Sequence, residues 1–265
     1  MSPRRRSPRF PDRHNAPVTP ETEALVLAAL FFAAALLYSS VGHAGASAYL
    51  AAMALVGVAA ATMRPTALVL NLFVASIVIV RFARVGHLPW RSLVPLAAGS
   101  IPMAFIGGSI DLPGEVYRPL VAIVLVAGAI RLATAAATNE DEEHPGVPIL
   151  PGVAAGAAIG LLAGLTGTGG GIFLTPLLVL AAWTGTREAA GLSGAFILVN
   201  SIAGLAGLVT GGVSLPAALP LWIGSVAAGG FIGSWLGASR FTILNLRRAL
   251  AIVLVLAAAK LVFLP

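Results

Sequence analysis

Apolar runs long enough to cross a lipid bilayer follow one another along almost the whole chain, with only short polar stretches between them. A helix needs about 20 mainly apolar residues to cross a ~30 Å hydrocarbon layer. Hydrophobic residues make up 58% of the 265 residues and charged residues 10%, so no separate soluble domain fits between the runs. The pattern predicts an all-α polytopic membrane protein with ten helical segments: Glu23–Ser40, Ala46–Ala60, Thr66–Ala83, Ser92–Ile110, Pro119–Ala137, Leu150–Leu165, Ile172–Trp183, Ala189–Thr210, Ala217–Leu236 and Arg248–Leu264.

The charges lie mostly outside these runs. Five of the sixteen basic residues precede the first run, within residues 1–22, in a Pro/Ser/Arg-rich stretch that we interpret as a disordered cytoplasmic leader. The net charge of +6 therefore indicates no nucleic-acid partner. The chain has no cysteine, which excludes disulfides and thiolate metal sites. We expect no metal site and no cofactor.

The chain divides into two similar halves around an acidic stretch. We assign residues 23–137 to a first transmembrane repeat, 138–148 to an acidic linker and 149–265 to a second repeat. Residues 41–46 align with 166–171, and residues 122–126 with 251–255. Similar residues also occur in the same order between these points, which favours duplication over chance similarity of Ala/Gly/Leu/Val-rich strings.

A glycine string interrupts the longest apolar tract, at Thr166–Gly171, and Pro176 follows it. Glycine costs about 1 kcal/mol and proline about 3 kcal/mol inside a helix, so the helix should break there within the membrane. Each half would open with two short segments separated by such a break, followed by three ordinary spans. A hairpin or two crossings would make the halves inverted repeats, and a single broken crossing would make them parallel. The length of the pair, roughly 35 residues, favours the hairpin.

The interior of the bundle is suited to an anion. The ten Asp and Glu residues fall in the leader, in predicted loops or, for Glu23, at the first residue of a segment, whereas a cation transporter normally keeps an acid within its spans. Hydroxyls, amides and the backbone N–H groups of the breaks would be the ligands. The candidate substrate-binding residues are Ser40, Gly42, His43, Gly45, Ser47, Asn71, Thr166, Gly167, Thr168, Gly169, Gly170, Gly171, Ser193 and Asn200. Thr175 and Ser201 are further hydroxyls of the interior.

Three features keep two interpretations each. His43 could donate to an anion or carry a proton near neutral pH, or it could make a structural hydrogen bond in the break. Arg131 and Lys260, at matching places in the two halves, could be stations for an anion or could extend toward the lipid headgroups. Glycines repeated every four residues, at 152–164 and 229–237, favour close helix packing but would also suit a sliding surface.

The two breaks resemble motifs of a known family. The segment Gly164–Leu178, with its glycine string and final Pro-Leu-Leu, is similar to the glycine-rich motif of the sulfite exporter TauE/SafE family, and Ser40–Leu50 looks like its first-half counterpart. Ala44 and Ala46 stand where glycines are usual. The resemblance implies a transporter of small sulfur-containing or organic anions, such as sulfite, sulfonates or sulfocarboxylates, in the bacterial inner (plasma) membrane.

We therefore expect a secondary transporter that binds an oxyanion near the midplane, between the two breaks, and works by relative movement of the halves. A passive anion channel is the alternative. An enzyme is not expected, because the glycine string lacks the Gly-Lys-Ser/Thr ending of a nucleotide loop and no catalytic constellation accompanies Ser47. The expected partners are the lipid bilayer and the small anion, and a homodimer is compatible with the sequence.

Overall fold

The computed structural model describes residues 20–40, 42–134, 144–213, 215–237 and 244–263, without some of the side chains in the fifth, ninth and tenth helices. The leader and most of the acidic linker lie outside these residues. The described residues are helical with connecting loops, as predicted. The helices are α1 Pro20–Ser39, α2 Ala46–Val56, α3 Ala60–Arg84, α4 Trp90–Ser109, α5 Gly114–Thr134, α6 Ile149–Thr166, α7 Gly171–Leu180, α8 Thr186–Val209, α9 Leu219–Gly237 and α10 Leu244–Phe263.

Six of these helices are long and apolar enough to cross a membrane, judged by length and composition: α1, α3, α4, α6, α8 and residues Leu219–Leu236 of α9. One prediction is wrong here, because the first helix of each glycine-broken pair is not short. Helices α1 and α6 have 20 and 18 residues. Only the second members are short, and at 1.5 Å per residue the 11 residues of α2 and 10 of α7 cover about half a bilayer.

Helix α3 begins earlier than predicted. The segment was expected to start at Thr66, but the helix runs from Ala60 and contains Pro65 near its start. A proline past the first turn removes one backbone hydrogen bond and its ring crowds the carbonyl four residues earlier, at a cost of about 3 kcal/mol. Burial of Met63, Arg64 and Thr66 in the bundle outweighs that loss. A residue that the sequence places in a loop, Arg64, is therefore part of the interior.

The chain reverses direction at both breaks. Phe31 packs edge-on against Tyr49 with ring centroids 5.4 Å apart, and the Tyr38 hydroxyl lies 2.7 Å from Ser47 Oγ, so α2 runs back along α1. In the second half, Gly146 N, just before α6, donates to Trp183 O, just after α7, at 3.1 Å. Each pair of helices is thus a hairpin.

Glycine-mediated packing joins the two halves. The backbone of Gly156, Gly160 and Gly164 on α6 lies directly against α4, and that of Gly229 and Gly233 on α9 lies directly against α1. A Cβ on Gly160 would lie 2.5 Å from Ser100 O, so no other residue leaves the same approach open. These contacts confirm the prediction that the glycine repeats serve close packing.

The buried apolar side chains that the structure describes form two cores. The larger draws its buried side chains mainly from α1, α2, α3, α5, α9 and α10, and the smaller from α4, α6, α7 and α8 with Leu88. Each core contains helices from both halves of the sequence. Helices α3 and α8 meet between them in an antiparallel arrangement, in which Asn71 contacts Ser201 and Val78 lies against Gly194.

Candidate functional site

The first break, between α1 and α2, is held mainly by local contacts. Gly42 and Gly45 have φ values of +82° and +99°, a region that side chains rarely adopt. A Cβ on Gly42 would collide with Ala190 at the start of α8. Ser40 Oγ donates to Leu37 O at 2.7 Å, and the Ser47 hydroxyl pairs with Tyr38. These two predicted ligands are therefore engaged within their own hairpin.

The second break confirms the prediction that the helix is interrupted at the glycine string. Helix α6 ends at Thr166 and α7 begins at Gly171, and the φ values of Gly167, Gly169 and Gly170 are +82°, +71° and +83°. Thr166 Oγ1 donates to Leu162 O at 2.6 Å and lies 2.9 Å from Thr168 Oγ1. The two threonine hydroxyls are thus engaged with each other and with a carbonyl of the last turn of α6.

His43 joins the two breaks. Its Nε2 lies 2.8 Å from Thr175 Oγ1 on α7, and that hydroxyl lies 2.6 Å from Ser193 Oγ on α8. The ring also lies beside Gly171, where an added Cβ would be 3.5 Å from His43 Cδ2. All three side chains are buried. The structural hydrogen bond foreseen for His43 is present, and it crosses from one half of the chain to the other.

A second polar group lies on the other side of Ile197. Asn71 Nδ2 on α3 donates to Ser201 Oγ on α8 at 3.4 Å, and a Cβ on Gly169 would lie 3.0 Å from Asn71 Nδ2 and 3.2 Å from Ser201 Oγ. Ile197 itself would meet a Cβ on Gly169 or on Gly171. The glycine string therefore links the Asn71 group and the His43 group along one face of α8.

Two buried amide side chains carry polar atoms that have no partner among the residues that the structure describes. Asn71 Oδ1 makes no hydrogen bond, and neither Oδ1 nor Nδ2 of Asn200 makes one. Asn200 lies four and seven residues before Gly204 and Gly207, which pack on α4, so it belongs to the α4 side of α8. The structure therefore does not group Asn200 with the break as closely as Asn71.

Two residues of this region were missed by sequence reasoning. Arg64 is only 5% exposed and donates to Ile110 O at 2.9 Å and to the carbonyls of Gly107 and Gly108 at the end of α4. A Cβ on Gly167 would lie 3.2 Å from Arg64 Cα and Cγ. Tyr117 OH donates to Thr166 O at 3.1 Å. Arg64 was missed because the sequence places it in a loop, between the segments Ala46–Ala60 and Thr66–Ala83.

The donors around the second break favour an anionic ligand. They are neutral hydroxyls and amides, with one buried cation, Arg64, at the end of the string. The acidic residues that the structure describes stand at helix starts or in loops: Glu21, Glu23, Asp111, Glu115 and Glu188. Such donors can hold a desolvated anion, and no described carboxylate lies beside them to repel it.

Comparisons with known proteins agree with this picture. A family model described as "Sulfite exporter TauE/SafE" matches residues 27–261. The chain is 39% identical over 248 residues to a protein of Sinorhizobium fredii described as a probable membrane transporter, covering 92% of this chain and all of the relative. It is 27% identical over 161 residues to one so described from Methanocaldococcus jannaschii, covering 56% of this chain and 60% of the relative.

No solved structure gives a significant match. The family match extends over both hairpins and both cores, and the Sinorhizobium relative is similar along its entire length. The six candidate spans of the structure are those of a multi-pass membrane protein, and both relatives are described as probable membrane transporters. The chain therefore belongs to the sulfite exporter TauE/SafE family and is a membrane transporter.

Proposed function

We propose that the protein is a secondary transporter of small sulfur-containing or organic oxyanions, which bind near the membrane midplane beside the second break. The observation that carries the proposal is the buried Asn71 amide, whose oxygen lacks a partner in the described structure while its Nδ2 makes a long 3.4 Å bond. An unsatisfied buried polar group costs about 1–3 kcal/mol. A ligand that accepts from Nδ2 and brings a bound water or protonated oxygen to Oδ1 would recover that cost.

The position of the site between two cores supports transport. The polar groups join α3 and the first hairpin, which contribute to the larger core, to α7 and α8. A ligand at this boundary touches both bodies at once. Alternating access requires a site of that kind, because movement of one body against the other then exposes the same ligand to either side.

The substrate class comes from the family. Its description names sulfite, a small anion with three oxygens, and the donors around the glycine string are of the kind that bind oxyanions. Sulfonates and sulfocarboxylates present the same group of oxygens. We place the protein in the bacterial inner membrane by the same resemblance.

The hairpins support inverted repeats. A hairpin returns to the side from which it entered, so crossings by α3, α4 and α5 after the first hairpin would make an odd number and would invert the second half. Helix α1 packs beside α9 as α6 packs beside α4, which is the exchange expected when two inverted halves are related by a twofold axis. The two breaks follow the same pattern: Gly42, in the first half, contacts the start of α8 in the second half, and Gly167, in the second half, contacts the start of α3 in the first.

Replacement of Gly169 by valine tests the site. Its φ of +71° is unfavourable for a β-branched residue, and the new Cβ would lie 2.8 Å from Ile197 and 3.0 Å from Asn71 Nδ2. We expect the uptake of ³⁵S-labelled sulfite into proteoliposomes to fall at least about tenfold, a loss of about 1.4 kcal/mol or more in transition-state binding. Asn71→Leu, which keeps the branched shape of the side chain but removes the amide, should have a similar effect.

Gly212→Val is the matched control. Gly212 has a φ of +86°, so valine is strained there too, but its Cβ would meet no atom within 4 Å. This variant should transport as the wild type does. Wild-type flux in Gly169→Val or Asn71→Leu, with normal incorporation of protein, would contradict the proposed site. Flux that rises linearly with sulfite and shows no counterflow would instead indicate a channel.

A further inference from the structure

A cavity of about 80 Å³ lies away from the glycine string, where the end of α2, the first turn of α3, the start of α5 and the end of α10 meet. We call it the mouth cavity. A single water needs roughly 10–15 Å³ of such space, so the cavity can hold a small oxyanion and part of its hydration shell. Nothing in the proposed transport site uses it.

Among the described residues, two cations line the mouth cavity, Arg118 on α5 and Lys260 on α10, and no acidic residue does. Arg118 makes no hydrogen bond or ion pair with any residue that the structure describes, including Glu115 one turn earlier. Lys260 Nζ donates to Leu55 O at 2.7 Å, which fixes the ammonium at the end of α2 and leaves two of its three donors. Lys260 thus holds its ammonium group at the rim of the mouth cavity.

The mouth cavity adjoins the residues that support the second break. Met63 lines it and precedes Arg64, which lies against Gly167. Arg118 lines it and follows Tyr117, which donates to Thr166 O. An anion in the cavity would therefore be separated from the glycine string by the layer that contains Arg64 and Tyr117.

We propose that the mouth cavity is a second anion site, in which Arg118 and Lys260 bind a small tetrahedral or pyramidal oxyanion. Binding itself depends only on the two cations and the space between them. Its role as the station from which the anion enters or leaves the transport site rests on the proposed function. A phospholipid phosphate presents the same oxygens, so the test has to separate a free anion from a lipid headgroup.

Thiol labelling tests the proposal without requiring transport. The chain has no cysteine, so Ala60→Cys places a single thiol in the cavity lining. We compare labelling by an anionic methanethiosulfonate, the sulfonatoethyl reagent, with labelling by the cationic trimethylammonium reagent in full-length protein in phosphatidylcholine nanodiscs. Thr210→Cys, in the exposed loop after α8, is the reference position.

We expect the ratio of anionic to cationic labelling at Ala60→Cys to exceed that at Thr210→Cys about tenfold, because two cations raise the local concentration of anions. Sulfate should slow the anionic reagent at Ala60→Cys, and Arg118→Gln with Lys260→Gln should remove both effects. Lys260→Arg keeps the positive charge and should retain both effects, so it serves as the control for correct folding of this helix end. Equal ratios at the two positions would overturn the proposal. The proposal would also be overturned if sulfate did not slow labelling of Ala60→Cys and only phosphatidylglycerol in the nanodisc did, because the cavity would then bind a lipid headgroup.

Sulfite flux then tests the role of the site. The double Gln variant should need a several-fold higher sulfite concentration for half-maximal flux and keep its maximal rate, and added salt should reduce the difference. A lower maximal rate with unchanged half-saturation would contradict the role. If the wild type carries no flux while the labelling preference is present, the transport proposal fails and the anion site stands.

Discussion

Arg64 is a buried guanidinium whose three hydrogen bonds in the described structure go to backbone carbonyls at the end of α4. The last carbonyls of a helix have no partner within the helix. In a membrane interior they are costly to leave unpaired. Arg64 satisfies three of them and at the same time supports Gly167. We infer a positioning role for this residue, because it holds the end of α4 against the second break.

Substitution of Arg64 by methionine should destabilise the protein. The change keeps much of the apolar volume but leaves the carbonyls of Gly107, Gly108 and Ile110 without their donor. Each hydrogen bond to a charged group is worth about 1.5–3 kcal/mol, so we expect a loss of roughly 3 kcal/mol or more. Arg84→Met, at the exposed end of the same helix, should change little. Equal thermal unfolding midpoints of the two variants in detergent would refute this role.

Residues of the site were predictable where the backbone itself is unusual. Three glycines with positive φ are visible in the sequence as a string that no helix tolerates, and His43 stands out as a lone histidine among apolar residues. Arg64 was missed because Pro65 suggested that the helix starts after it. Packing overrode that local preference. Hydrogen bonds such as Thr175 to His43 depend on the meeting of distant helices, which no local pattern encodes.

At the scale of elements, glycine faces decide which helices pair. Helix α6 presents Gly156, Gly160 and Gly164 to α4 with direct backbone contact. The hydrophobic effect does not drive helices together within lipid, so close van der Waals contact has to supply the attraction. The sequence predicted these faces and their purpose. It could not identify the partner helices, because every predicted helix contains small residues against which a glycine face could pack.

Gly160→Ala tests the α4–α6 contact. The added Cβ would lie 2.5 Å from Ser100 O and 2.6 Å from Ser100 Cα, so the helices must move apart. We expect a loss of about 1–3 kcal/mol, seen as a lower thermal midpoint. Gly224→Ala in α9 is the matched control, since its Cβ would meet nothing within 4 Å and alanine favours helix by up to about 1 kcal/mol. A midpoint for Gly160→Ala at or above that of Gly224→Ala would contradict the prediction.

At the scale of the whole molecule, the hairpins determine which loops share a side of the membrane. Inverted halves place Glu21 and Ala59, at the two ends of the first hairpin, on one side, and His144 and Ala182, at the ends of the second, on the other. A single broken crossing would instead separate Glu21 from Ala59. The number of helices was predictable from the sequence. The direction of α2 and α7 was not predictable, because a short apolar helix can either turn back along the preceding helix or continue across the membrane.

Single cysteines at these four positions distinguish the topologies. The natural absence of cysteine makes each variant a clean reporter for an impermeant thiol reagent added outside spheroplasts. We expect Glu21→Cys and Ala59→Cys to share one reactivity, and His144→Cys and Ala182→Cys to share the opposite one. Opposite reactivity within either pair would disprove the hairpin for that half.

The composition of the two cores has a consequence for motion. The larger core takes α9 and α10 from the second half, and the smaller takes α4 from the first. Separating the halves of the sequence as rigid bodies would pull α1 from α9 and α4 from α6, where backbones touch. The bodies that rock should therefore be the cores. Each break then stays attached to one body while the other body moves past it, and each moving body contains helices from both halves of the sequence.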